Sequence, residues 1–398
     1  MKLDQGSRPV GGAVGTMTSR ERFFAAIDGK PTDIIPIHNL GFSSEVASHL
    51  LGREAFIGGG IQQWREATAL WNGPRAHQEY LERSLKDAIE LAQVCGHDLI
   101  RYNYWRLDDM PTAKIDEYTF KYEDPHSGRW HVRRFYPPAE LFEIAEQHPP
   151  RGEVTFETLA QELDERERKL EQGADPEDQR ILESVLKGYS STHAVRVHGC
   201  GLGIPYKSQA WLEAILLRPD LVERSLDLEV ESGLRELKVT AALGARLAFG
   251  GNDMASNEGT FYSPAVFRRL MLPRLQTLTK AARDLGILPF FASDGNLWPV
   301  ADDLYGRSGL KGFLEVDGRA GMDLALLRER FPDVAFIGNM SSHTVHLGTP
   351  EEIRMEAEKA FAAARRYSGI VVGVSNYLVP GTPRENVDAL LQALHDLR

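Results

Sequence analysis

The sequence predicts an α/β protein, a (β/α)8 barrel of the TIM type forming a single domain. Three observations point there. Eight short apolar runs recur, near 34–38, 98–103, 194–198, 246–250, 288–292, 312–316, 334–338 and 370–374. Helical patterns separate most of them, and strand–helix alternation implies parallel pairing. The runs also end in small and polar residues. In Phe290-Phe291-Ala292-Ser293-Asp294-Gly295-Asn296 an apolar strand delivers a carboxylate and an amide into a turn before a helix. A doubly wound open sheet is the alternative. It gains nothing from nucleotide motifs, because neither G-x-G-x-x-G nor G-x-x-x-x-G-K-[ST] is present.

Residues 1–16 are Gly-rich, lack a period and read as a disordered tail before a domain spanning 17–398. Thr18-Ser19-Arg20-Glu21 matches a capping box and Asp28-Gly29 closes that helix. Pro36 makes the 34–38 run an irregular or rim strand, because proline lacks the N–H a central strand donates. Helical patterns follow around 43–51, 61–70 and 76–95, then a strand whose far end, Tyr104-Trp105-Arg106, is aromatic and basic. Alternation through Tyr118, Phe120 and Tyr122, a turn at 124–128, and Trp130 to Phe135 signal a β-hairpin. With the charge-rich, helical 137–190 stretch it forms an insertion over 116–190, between the second and third strands, whose helices read as solvated. From His193 the strand–helix rhythm is regular to the last helix, opened by Thr382-Pro383.

The chain has 398 residues, 42% hydrophobic, which is ample for a core. Its net charge of −11, with no basic stripe, excludes a nucleic-acid surface. There is no 18-residue apolar run and no signal-peptide core, so no membrane role is expected. Two cysteines, Cys95 and Cys200, make no disulfide framework, and a cytoplasmic protein is the expectation.

A barrel gathers the C-terminal ends of its strands at one mouth. That mouth would hold His38, Arg101 to Arg106, His198, Cys200, Asn252, Asp253, Asp294, Asn296, Glu315, Asn339, Ser375 and Asn376. Asp253, Asp294 and Glu315 become general acids or bases if burial raises a pKa. His198 has three readings: acid/base or hydrogen-bonding group, structural residue, or metal ligand. His198-x-Cys200 with Glu315 is a weak zinc pattern, and no bound metal is expected. Asp294 itself is either a catalytic acid or the cap of the helix opened by Trp298-Pro299.

Six segments appear in order: Met17-Thr18-Ser19-Arg20-Glu21-Arg22-Phe23, Gly29 to Pro36, Asn252-Asp253-Met254-Ala255, Phe261-Tyr262-Ser263-Pro264, Ser293-Asp294-Gly295-Asn296 and Thr382-Pro383-Arg384-Glu385-Asn386. Together they resemble the uroporphyrinogen decarboxylase superfamily, over nearly the whole chain from Met17. The resemblance implies the same barrel and a cleft for a tetrapyrrole or corrinoid-linked substrate. True decarboxylases carry arginines after the first strand, where this chain has His38 to Ser44, and a His where it has Asn376. The thiol-activating methyltransferases carry a His-x-Cys zinc pair where this chain has Ala292 and Asp294, so zinc is not implied. What remains is similar to the corrinoid-dependent methyltransferase branch. The function this implies is methyl transfer from a small methylated substrate to a corrinoid (cobalamin) on a carrier protein. Asp294 or Glu315 would act as the acid. Asp253, His198, His38, Tyr104, Trp105, Arg106, Asn252, Asn296, Asn339 and Asn376 would bind or orient the substrate. The partners expected are a small-molecule substrate, the carrier protein and a second copy of the chain. A pyrrole-type decarboxylase (a lyase) and a non-catalytic ligand-binding barrel are the alternatives.

Overall fold

A cyclic ladder of parallel strands is the centre of the protein. The computed structural model describes residues 16–398 apart from 103–105, 108, 126–127, 149–151, 153, 172–175 and 207. The expected tail therefore lies almost wholly outside the described residues, as do Tyr104 and Trp105. Strands Leu99–Arg101, Ala194–Arg196, Leu247–Gly251, Leu288–Ala292, Gly312–Leu314, Ala335–Ile337 and Ile370–Val371 fall on the predicted runs. The pairs Leu99–Arg101 with Ala194–Arg196, and Leu247–Gly251 through to Ile370–Val371, are parallel and in register. A parallel bridge from His198 to Phe249 joins the two sets.

The first run closes the ring. Ile37 makes a single parallel bridge to Val372, and the Asp98 N–H donates to the Ile37 carbonyl at 3.0 Å. No longer strand forms there, in keeping with Pro36, whose missing N–H leaves the ladder one-sided. Glu315 was expected inside a strand but leaves it in the left-handed region, with φ of 65°.

Inward-facing Leu99, Ala194, Leu247, Phe249, Phe290, Leu314 and Ile337 fill the barrel, and Phe23 and Ile27 of the helix Ser19–Ile27 join them. That helix plugs the bottom of the barrel, and its capping box forms as the sequence predicts. Room for Phe290 comes from Gly312, where a Cβ would lie 2.0 Å from the phenyl ring. Below the ring, buried Asp98 ties three segments together. It accepts from Arg22 Nη1 at 2.6 Å, from Arg398 Nη2 at 2.8 Å and from the Ile37 N–H at 2.9 Å.

The insertion is more strand-rich than its composition suggests. Ala113–Lys114, Thr119–Glu123, Trp130–Tyr136 and Leu141–His148 form a four-stranded antiparallel sheet in that order. The last strand falls in a stretch read as helical from its charge. Its polar residues line an exposed sheet face, and Phe142 supplies the one buried contact. Phe120, Tyr122, Phe135 and Phe142 pack against Ala67 of helix Gly60–Trp71, which fastens the sheet to the barrel. Helix Phe156–Glu171 is likewise not merely solvated. Leu159 and Leu163 are fully buried in the main core.

Candidate active site

Three carboxylates meet at the C-terminal ends of the fourth, fifth and sixth strands. Oxygens of Asp253, Asp294 and Glu315 lie within 4.8 Å of one another, each residue partly buried. The sequence places each one residue or two past a buried strand, so the sheet's own register brings them together. Gly251 and Gly295 permit this close packing. A Cβ on Gly251 would lie 2.6 Å from the Ala292 carbonyl oxygen, and one on Gly295 the same distance from the Ala255 carbonyl oxygen. Gly295 also has φ of 90°, a conformation open to glycine and strained for other residues.

Each carboxylate has a distinct set of partners. Asp253 accepts the Asp294 backbone N–H at 3.3 Å on one oxygen and the Tyr206 hydroxyl at 3.2 Å on the other. Tyr206 is held in turn by stacking on Phe261, with ring centroids 4.4 Å apart. Asp294 accepts a short hydrogen bond from the Asn376 side-chain amide. The Asn376 carbonyl oxygen takes the Tyr377 N–H at 2.6 Å, which fixes the amide so that its NH2 faces Asp294.

The electrostatics favour the protonated forms of Asp294 and Glu315. Burial raises the Asp294 carboxyl first, and repulsion from Glu315, Asp253 and Asp317 adds to it, against the Asn376 hydrogen bond. The result is about 8. Glu315 is raised to about 7, again chiefly by burial, with Arg196 and Arg101 opposing and Asp253 reinforcing. Its left-handed backbone is local strain of the kind that collects at functional sites. The same three oxygens are the residues best placed to hold a cation. As hard carboxylates they suit Mg²⁺, Mn²⁺ or Ca²⁺ better than Zn²⁺.

Other predicted residues lie elsewhere. Asn296 forms the turn: its side-chain oxygen accepts the Trp298 N–H at 3.2 Å. The helix that follows has Leu297 at its N-cap and no side-chain cap, so neither Asp294 nor Asn296 caps it; Asn296 makes an Asx turn just before it. Arg106 pairs with Glu66 at 2.6 Å and Asp178 at 2.8 Å, fastening the insertion rather than facing the carboxylates. His38 is buried edge-on against His97, 5.2 Å between centroids, and burial holds its pKa well below the usual imidazole range. The Asn339 side-chain oxygen is buried, with no hydrogen-bond partner among the described residues. Asn252 packs against Gly203 and lines a neighbouring cleft.

His198 belongs to that cleft. Its Nδ1 lies 3.2 Å from Glu236, whose hydrogen bond raises the imidazole pKa. Cys200 is fully buried, its thiol pushed up to about 12 by burial and by Glu236. Among the described residues His198, Cys200 and Glu315 do not form a metal-sized group. Sequence reasoning passed over Tyr206 and Arg196. Arg196 is the register partner of Arg101 on the neighbouring strand, and a cation inside a short apolar strand was the available signal. Tyr206 left no such trace, since only folding brings its loop to Asp253.

Known proteins resemble this chain in its second half by sequence and throughout by fold. Residues 206–397 match the family model described as uroporphyrinogen decarboxylase (URO-D). The match spans Asp253, Asp294, Glu315 and Asn376 and leaves out the insertion. A protein named uroporphyrinogen decarboxylase from Anaeromyxobacter sp. (strain Fw109-5) is 35% identical over 127 residues, 31% of this chain and 34% of that one. The chain thus matches about a third of the length of that curated relative. A solved methyltransferase from Methanosarcina mazei superposes over 96% of this chain and 99% of its own, with a TM-score of 0.62 and 19% identity. That likeness is one of fold, and it extends through the first half of the chain. Among the described residues no helix is long and apolar enough to cross a membrane. The three carboxylates and the amide that faces them thus lie within the segment that matches the URO-D family model, carried on a TIM-type barrel.

Proposed function

We propose that the protein is a URO-D superfamily methyltransferase that removes a methyl group from a small methoxylated or methylated compound, with Asp294 as general acid. The observation that carries this reading is the Asp294 carboxyl, held protonated near neutral pH by burial and three neighbouring carboxylates. As the methyl–oxygen bond breaks, the leaving oxygen takes the Asp294 proton and departs as a neutral hydroxyl. Asn376 steadies the carboxylate left behind, and Glu315, poised at about 7, lies close enough to return a proton. Asp253 and Tyr206 hold the Asp294 backbone and one wall of the site.

The nucleophile in this reading is external. Cys95 and Cys200 are both fully buried, and burial drives each thiol up to about 12, so neither serves. A corrinoid presented by a carrier protein would supply that nucleophile. When bound, the corrinoid supplies the methyl acceptor, while the chain orients substrate and delivers the proton.

A second reading, decarboxylation, is favoured by Arg101 and Arg196, whose charges act on Glu315 from neighbouring strands and suit a carboxylated substrate. The test is methyl transfer to reduced corrinoid from a panel of methyl ethers, run beside a decarboxylation assay on pyrrole carboxylates. Methyl transfer lost by about 10²–10⁴-fold in Asp294→Asn supports the proposal. Decarboxylation alone replaces it with the second reading, and binding without turnover leaves a ligand-binding barrel.

A further inference from the structure

A cleft of about 680 Å³ lies beside the carboxylate cluster, within the range that takes small organic ligands. One wall is barrel: the loop after the third strand and helix Pro219–Ala242. The other wall is the insertion, through Arg166, Lys169 and Leu170 of helix Phe156–Glu171 and Gln179 of helix Pro176–Tyr189. That wall lies outside the residues that match the family model.

Its chemistry is divided. Leu202, Leu228 and Val239 give it an apolar floor. Arg166, Lys169, Arg235 and His198 bring positive charge, against Glu229 and Glu236. Both acids are already engaged. Glu229 accepts the Gly203 N–H at 2.8 Å and pairs with Arg166 at 3.3 Å. Glu236 holds His198 Nδ1, which leaves Nε2 for an occupant; Nε2 donates there in the imidazolium form, which the Glu236 hydrogen bond favours. Arg235 bonds Glu231 and the Leu170 carbonyl, which ties the insertion wall to the barrel wall. Lys169 and the largely exposed His198 ring are the donors presented to an occupant.

We infer that this cleft is a second ligand site, which binds an organic anion with an apolar body and a carboxylate. The body lies on Leu202, Leu228 and Val239, and the carboxylate meets His198 Nε2 and the Lys169 ammonium. Gly251 and Asn252 form its end, so an occupant sits one residue from Asp253 without touching the acid cluster. The site is independent of the methyl-transfer reading.

Benzoate is the probe and benzamide its uncharged isostere. Titration of the full chain, followed by calorimetry and by histidine NMR, should show saturable benzoate binding that shifts one imidazole. Benzamide should bind roughly tenfold more weakly or less, since it loses a charge-assisted bond. His198→Gln and Lys169→Gln should each weaken benzoate to a similar degree. Asp294→Asn should leave benzoate binding unchanged. Circular dichroism of each variant checks the fold, and the Lys169 variant, altered at an exposed position, stands in if His198→Gln unfolds. Equal binding of benzamide, no binding, or binding abolished by Asp294→Asn and untouched by the cleft variants would each overturn the inference.

Discussion

Replacing Asp294 with Asn should stabilise the protein, increasingly so as pH rises. The ordinary carboxyl value is 3.8 and the folded one about 8. At about 1.4 kcal/mol per pH unit, that gap sets an upper bound of about 6 kcal/mol. The side chain keeps some contact with water, which reduces the working figure to about 3 kcal/mol. The sign follows from proton counts. Between about pH 4 and about pH 8 the folded carboxyl retains a proton that the unfolded chain has released, so stability falls as pH rises through that window. Asparagine has no proton to lose, and its side-chain oxygen can still accept the Asn376 amide. The variant and the parent should therefore agree near about pH 4 and diverge by about 3 kcal/mol near about pH 9. Urea unfolding followed by tryptophan fluorescence across that range measures the difference. A difference that does not change with pH, or a variant that becomes less stable than the parent at high pH, would refute a buried, repelled carboxyl at this position.

Four further outcomes are expected. Asn376→Ala removes the hydrogen bond that opposes the rise in the Asp294 pKa, so the carboxyl should titrate above about 8, as read by carbon NMR of labelled Asp. Glu315→Gly relieves the left-handed backbone and removes a raised carboxyl, and should raise the melting temperature while abolishing activity. Gly295→Ala should destabilise by about 1–3 kcal/mol or more, because φ of 90° and the Ala255 carbonyl both oppose a Cβ. Asp98→Ala leaves Arg22 and Arg398 without their buried partner and should cost about 3–5 kcal/mol in denaturant unfolding.

What the sequence determined by itself was the repeating unit. An apolar run of four or five residues with a polar end, followed by a helical pattern, is a local signal, and it located seven of the eight strands; a local motif likewise located the capping box at Thr18. It also showed that Asp253, Asp294 and Glu315 end consecutive strands, which in a parallel sheet makes them neighbours. Their grouping was legible for that reason. The strand at 141–148 was not, because an edge strand with an exposed polar face carries the same charges as a solvated helix.

Tertiary structure alone decided which polar residues act together. Arg106, Asn296 and His198 have the chemistry of site residues, but folding gives them Glu66, the Trp298 N–H and Glu236 as partners, contacts set by helices remote in sequence or by turn geometry. It decided that Asn376 faces Asp294, 82 positions away, and that Tyr206 reaches Asp253. It also decided the protonation of the site. A carboxyl's pKa depends on the water it loses and the charges around it, and both are properties of the assembled mouth rather than of any segment.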